Sequence, residues 1–180
     1  MNRSTFLDKL SQTILLQSHI ELSNCLFVLP NKRAKVFLLE SLKKQLKVTS
    51  FAPKIISIED FIQDISGLRS IDPIELIFEF YEVYLSVTDK SKQQNFEEFA
   101  VWAKTAIQDF NEIDRYLLNP NHVFSYLKDI EALKRWNLEP SNTTKLIDSH
   151  LEFWAKLPLY YESFYNHLLA KGVGYQGLLY

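Results

Sequence analysis

The sequence predicts an α/β fold dominated by helices, in which a small parallel βαβ base precedes an α-helical bundle. Three observations lead to this class. The 180 residues are 47% hydrophobic, which is enough to build a core. They include four glycines, three of which fall in the last nine residues, and this scarcity disfavours turn-rich sandwiches and barrels. Two short apolar runs flank a segment with helical spacing, which is the pattern of a βαβ unit.

Residues 1–66 form the predicted base. Apolar residues at spacings of three and four predict a first helix over about residues 4–18. Cys25–Leu29 is a continuous apolar run of strand length, typical of a parallel strand that helices cover on both faces. Helical spacing returns over residues 32–46, and Lys54–Ile58 predicts the second strand. A strand, a helix and a strand in this order predict a right-handed parallel pair.

Capping residues mark the next two helix starts. Ser57 followed by Asp60 is a carboxylate variant of the capping box and predicts a helix from this point. Asp72 and Pro73 place an N-cap and a proline at the first helical position of a helix that ends near residue 87. The face that we expect this helix to bury carries Ile74, Ile77, Phe78, Tyr81, Tyr84 and Leu85.

Residues 67–180 predict a helical subdomain. A long helix is expected over about residues 96–117, and Asn119-Pro120 ends it and begins a short one. A further helical turn or two is expected near residues 130–136, and a final long helix over about residues 144–170. Pro158 lies inside that helix and predicts a kink or a break.

Several kinds of chemistry lack the residues that they need. A phosphate-binding loop requires closely spaced glycines, but Gly67 is the sole glycine before residue 172. Cys25 is the single cysteine, which excludes an intrachain disulfide and a cysteine zinc cluster. Asp109, Glu112 and Asp114 are acidic and close in sequence, and a solvated helix face is favoured over a cation site. We therefore expect no cofactor, no metal site and no catalytic residue.

One basic patch has a position that suits a ligand. Asn31, Lys32, Arg33 and Lys35 follow the first predicted strand and open the next helix. The carboxyl ends of parallel strands form the crevice in which ligands bind, and a helix start offers free N–H groups to a phosphate. A solvated basic turn is the alternative. Because the net charge of the chain is −2, any nucleic-acid contact must come from a local patch of this kind.

The sequence shows neither a targeting segment nor a membrane anchor. Charged and polar residues interrupt the N-terminal apolar residues, and no window approaches the roughly 18 apolar residues of a membrane span. A cytoplasmic protein with no membrane partner is expected. The chain stops at Gly177-Leu178-Leu179-Tyr180, within an apolar run, so we expect it to be a piece of a longer protein. A short terminal segment docked into the core is the alternative.

Several separated blocks, in the right order, resemble the helicase-like subunit of AddAB/RecBCD-type helicase–nucleases. The resemblance is to the Bacteroidetes branch, an inactivated superfamily I helicase of the PD-(D/E)XK nuclease family. The blocks are Leu26–Ala34 with Phe37-Leu38, Pro53–Ile62, Phe96–Trp102, Asp109–Leu117 and Gly174–Tyr180.

The resemblance implies a role in DNA repair and recombination. It implies that the chain is the N-terminal part of a larger protein that carries a nuclease domain far beyond residue 180. It also puts the loop from Asn31 to Lys35 near the DNA path and implies an AddA-like helicase–nuclease subunit as a partner. Active members of the family place a phosphate loop before the first strand, where this chain has a helix and no glycine. ATP hydrolysis by this region is therefore not expected.

A second hypothesis is a helical protein–protein interaction module without DNA contact. Its docking surface would include the aromatic residues Trp102, Trp136 and Trp154. Core packing is the more common role for such tryptophans. The salt dependence of DNA binding separates the two hypotheses, because phosphate contacts weaken steeply with salt.

Overall fold

The computed structural model of the chain describes residues 5–16, 21–127 and 145–180, with the side chains of residues 145–152 left out. The chain divides into two compact units, Met1–Ile65 and Ser66–Tyr180, which we call unit 1 and unit 2. The predicted short helical segment near residues 130–136 lies outside the described residues.

Unit 1 is built around a parallel pair of strands, as predicted. Its elements are α1 (Phe6–Leu16), β1 (Leu26–Leu29), α2 (Lys32–Gln45), β2 (Lys54–Ser57) and the first residues of α3 (Ile58–Ser66). The strands pair in parallel with α2 as the crossover, which confirms the βαβ unit.

The register of the pair aligns the carboxyl ends of both strands. Leu26 lies opposite Lys54, and Leu29 lies opposite Ser57. The segments that follow Leu29 and Ser57 therefore leave the sheet at the same edge and begin α2 and α3 there. This edge carries the predicted basic loop.

One face of the strand pair is covered, and the other is open. Leu29 and Ile55 are buried with Leu38 and Leu42 of α2 in the core of unit 1. On the opposite face Leu26 is 47% exposed and Val28 is 36% exposed. The expectation of helices on both faces is therefore wrong for the described chain, since α2 covers the face of Leu29 and Ile55. A continuous apolar run has no alternation, so the sequence gives no sign of which face stays open.

Polar contacts fix α1 against α2. The carboxylate of Asp8 caps α1 by accepting hydrogen bonds from the Thr5 backbone and hydroxyl at 2.9 and 2.8 Å. Its second oxygen accepts from the Ser41 hydroxyl of α2 at 2.8 Å, and Gln45 donates to the Asp8 carbonyl at 3.0 Å. These bonds hold the pKa of Asp8 below its usual range, the Thr5 backbone bond contributing most.

Unit 2 is a helical bundle with one short parallel ladder. Its elements are β3 (Arg69–Ser70), α4 (Pro73–Val87), α5 (Phe96–Arg115), α6 (120–127), α7 (Lys145–Lys171), β4 (Val173–Gly174) and α8 (Gln176–Leu179). β3 pairs with β4 in parallel, Arg69 opposite Val173. Two-residue strands carry no periodicity, so the sequence did not predict this pair. The helix-dominated α/β class is confirmed.

Aromatic rings form the core of unit 2. Phe80, Phe99, Phe110 and Phe164 have almost no exposed surface. The Phe80 ring centroid lies 4.7 Å from that of Phe164 and 5.2 Å from that of Phe99. These rings join α4, α5 and α7. The helix predicted over about residues 96–117 is confirmed as α5.

The predicted buried face of α4 is confirmed in part: Tyr84 is buried, and Ile77, Tyr81 and Leu85 are partly buried against the core. Ile74 is 69% exposed and Phe78 is 52% exposed, whereas Leu76 and Phe80 are buried. The helix is apolar on most of its circumference, so spacing alone does not select the face that packs. Phe78 instead stacks on Phe96 at 4.7 Å between ring centroids.

α7 runs unbroken through Pro158 from Lys145 to Lys171, so the predicted break is absent from this helix. Gly172 follows its last residue with φ at +66°, a left-handed conformation that glycine adopts readily. None of the helices in the described part of the chain is both long and apolar enough to cross a membrane.

Candidate nucleic-acid interface

The predicted basic loop lies at the carboxyl edge of the β1–β2 pair. Asn31 is the N-cap of α2, and its Oδ1 accepts a hydrogen bond from the Ala34 backbone N–H at 2.9 Å. Pro30 and Asn31 thus turn the chain from strand to helix within two residues. The capping bond explains in local terms why Asn31 stands at this position.

Lys32 is tied to the neighbouring helix start. Its Nζ lies 3.0 Å from Oδ1 of Asp60 in the first turn of α3. The hydroxyl of Ser57 donates to the other oxygen of Asp60 at 2.9 Å and accepts from the Asp60 backbone N–H at 3.2 Å. The predicted capping box at Ser57 is therefore confirmed, and its carboxylate has a second role as the partner of Lys32.

The charges of this pair reinforce one another. The ammonium of Lys32, followed by the Ser57 hydroxyl, holds the pKa of the Asp60 carboxyl below its usual range. In return the Asp60 carboxylate raises the pKa of Lys32. Both side chains remain accessible, at 70% and 40% exposure, so salt screens their attraction.

Arg33 and Lys35 are exposed and have no ion-pair partner among the residues that the structure describes. They lie in the first turn or two of α2, next to Lys32, and this turn holds no acidic residue. The positive end of the helix dipole disfavours cations at such a position. Helix stability therefore does not explain this arrangement, whereas an incoming anion would.

The edge as a whole carries a small positive charge. Lys32, Arg33 and Lys35 contribute three positive charges, and Glu59 and Asp60 contribute two negative ones, which leaves +1. The chain as a whole has a net charge of −2. The sequence did not identify Asp60 as part of this site. The predicted parallel pair could have indicated it, because the residues that follow two neighbouring parallel strands lie at the same edge of the sheet.

The acidic residues of α5 separate into two groups. Asp114 accepts hydrogen bonds from the hydroxyls of Tyr161 and Tyr175, one at each oxygen. Burial, followed by these bonds, raises the pKa of both phenols. Burial, followed by the charge of Glu112, raises the pKa of Asp109. Asp114 is thus a structural acceptor, and the three carboxylates do not form one site.

No protein-family model matches this chain, and no curated protein matches it either. The residues themselves therefore carry the functional argument.

The tryptophans of the alternative hypothesis have different surroundings. Trp102 is half-buried against the aromatic core, 4.8 Å from the Phe99 ring, and its Nε1 donates to Gln94 Oε1 at 2.9 Å. Trp154 is also partly buried against this core. Trp136 lies outside the described residues. Trp102 and Trp154 therefore serve packing at least in part.

Proposed function

We propose that unit 1 is a non-catalytic, helicase-like region that contacts the DNA backbone in a DNA repair and recombination protein. Arg33 and Lys35 make the phosphate contacts, beside Lys32 and Asn31. The observation that carries this proposal is that two exposed cations, which have no ion-pair partner within the described part of the chain, occupy the N-terminal turns of α2. A phosphate placed there meets free backbone N–H groups, the positive end of the helix and two cationic side chains.

The contact recognises the backbone rather than the bases. Base sequence is read by side chains that enter a groove of the DNA, and flexible cations at one edge of a sheet do not form such an element. Contacts to phosphates position a protein on DNA without reading the base sequence. The resemblance to inactivated superfamily I helicases supports the same role. In this interpretation the parallel base is a degenerate form of a P-loop helicase domain, and the parent protein is of the PD-(D/E)XK nuclease family.

A matched pair of charge-removing variants tests the proposal. Arg33→Gln/Lys35→Gln removes two charges from the start of α2, and Lys43→Gln/Lys44→Gln removes two exposed charges from its end. We expect the first variant to bind duplexes of different sequence more weakly and to similar extents, and the second to bind like the wild type. Fluorescence anisotropy with the intact protein at low salt measures both affinities. Equal affinity for the two variants would refute the proposed contact.

A second candidate function is contact with a protein partner, such as an AddA-like helicase–nuclease subunit. The uncovered face of the strand pair, with Leu26 and Val28 exposed, favours it. Leu26→Ser/Val28→Ser would weaken such a contact without changing the affinity for DNA. Co-purification of the subunit with the wild type and the variant measures the difference.

A further inference from the structure

A polar cluster joins α4 to α7 in unit 2. Glu79 and Glu82 lie one helical turn apart on α4, and His167 and Lys171 lie one turn apart on α7. His167 Nε2 is 2.6 Å from Oε2 of Glu79, and Lys171 Nζ is 2.5 Å from the same oxygen. Lys171 Nζ is also 3.7 Å from Oε2 of Glu82.

The cluster has the donor atoms of a metal site. One imidazole nitrogen and one oxygen from each carboxylate all lie within 4.8 Å of one another. A single ion at about 2.0–2.2 Å from each donor requires donors roughly 3–4 Å apart, so small side-chain rotations complete the set. Glu79 is 14% exposed and His167 is 26% exposed, so packing restrains two of the three ligands.

The donor types select the class of ion. A mixed set of one nitrogen and two carboxylate oxygens suits Zn²⁺ and related divalent transition metals, whereas Mg²⁺ and Ca²⁺ prefer oxygen alone. Three protein ligands leave a fourth position for water.

Lys171 supplies the positive charge in the absence of an ion. Burial alone would raise the pKa of Glu79, but hydrogen bonds from Lys171 and His167 outweigh it and leave the pKa lowered. The ammonium is 44% exposed on a flexible side chain, so it can leave without disturbing the core. The same two carboxylates can therefore be neutralised by Lys171 or by a divalent cation.

We propose that Glu79, Glu82 and His167 bind a divalent transition-metal ion, which displaces Lys171 and clamps α4 to α7. This site is independent of the DNA contact in unit 1. Because the ion and Lys171 compete for the same oxygens, removing the lysine should tighten metal binding.

Calorimetric titration of the metal-free chain with Zn²⁺ tests the site. All variants are made in a Cys25→Ser background, which removes the single thiol of the chain. Even the loss of a residue that only hydrogen-bonds to a metal ligand weakens metal binding about 10- to 100-fold. Glu82→Gln and His167→Gln remove direct ligands, so each should weaken Zn²⁺ binding at least about tenfold. Lys171→Met should tighten binding. Glu75→Gln on α4 and His122→Gln on α6 are matched controls outside the cluster and should bind like the background protein.

Titration with Co²⁺ provides a second measurement, since its visible ligand-field bands report the coordination geometry. Four-coordinate bands that appear with the background protein, strengthen with Lys171→Met and vanish with His167→Gln would support the site. Absence of Zn²⁺ binding in both the background protein and Lys171→Met would overturn the proposal. Equal affinity of Glu82→Gln, His167→Gln and the controls would overturn it as well, because the ion would then bind elsewhere.

Discussion

The ammonium of Lys32 lies 3.0 Å from Oδ1 of Asp60, and this ion pair ties the loop after β1 to the first turn of α3. Its position follows from the parallel register, which sets Leu29 opposite Ser57. Of the three cations in the basic loop, Lys32 is therefore already paired with a carboxylate. Arg33 and Lys35 are the two exposed cations that remain available to bind an external phosphate.

Releasing Lys32 should strengthen DNA binding. Asp60→Asn removes a negative charge from the edge and frees the Lys32 ammonium for a phosphate, so the salt dependence should steepen by about 0.9 in slope for one more neutralised phosphate. Glu97→Gln removes a carboxylate from an exposed position on α5 and serves as the control. Anisotropy titrations over a range of salt measure both slopes. Weaker DNA binding by Asp60→Asn would contradict this role of the pair.

The bond from Tyr175 to Asp114 should stabilise unit 2. Tyr175→Phe removes one donor from a half-buried carboxylate, and a hydrogen bond to a charged group contributes about 1.5–3 kcal/mol. All three tryptophans of the chain belong to unit 2, so tryptophan fluorescence during urea unfolding reports this unit. Tyr126→Phe, at an exposed tyrosine, is the matched control. A loss of stability no larger than that of the control would show that the bond contributes little.

The terminal segment should tolerate no side chain at Gly177. A Cβ there would lie 2.2 Å from the Asn111 carbonyl oxygen and 2.9 Å from the Arg115 backbone nitrogen. The Gly177 N–H also donates to Asn111 Oδ1 at 2.7 Å, and a shift would break that bond. Gly177→Ala should therefore cost about 1–3 kcal/mol or more of unfolding free energy. The exposed Gln176→Ala is the control, and equal stability of the two variants would be inconsistent with this close approach.

Acid should weaken unit 2 through Glu79. The pKa of this carboxyl is lowered from its ordinary value of 4.5, with Lys171, His167 and Glu82 as the surrounding charged groups. Its contribution to stability is therefore complete above pH 4.5 and is lost as the pH falls through the folded-state pKa. Urea unfolding at a series of pH values, with a chelator present, should show this loss in the wild type. The loss should be smaller in Glu79→Gln, and identical pH profiles would contradict the assignment.

Local signals predicted much of the fold. Ser57 and Asp72 cap the helices that follow them, as predicted, because a cap is a short-range interaction of a side chain with its own chain. The parallel pair also followed from local patterns, since a strand, a helix and a strand close in one way.

Features that depend on tertiary contacts were missed. Phe80 of α4, which lies outside the predicted face, is buried because it packs on Phe99 and Phe164 of other helices. Asp114 looked like part of an acidic surface because its two tyrosine donors are 47 and 61 residues away in sequence. The pairing of Lys32 with Asp60 likewise required the register of two strands. The basic loop could be predicted because its residues are close together in sequence. Its carboxylate partner, Asp60, could not, because it lies on a different helix.

The salt slope of DNA binding tests the proposed backbone contact most directly. For the intact protein, log Kobs is measured against log salt concentration with the wild type, Arg33→Gln/Lys35→Gln and Lys43→Gln/Lys44→Gln. If both cations contact phosphates, the first variant should lower the slope by about 1.8, or about 0.9 for each phosphate that is no longer neutralised, and the second should leave it unchanged. An unchanged slope for Arg33→Gln/Lys35→Gln would contradict the account, because the basic loop would then be a solvated turn.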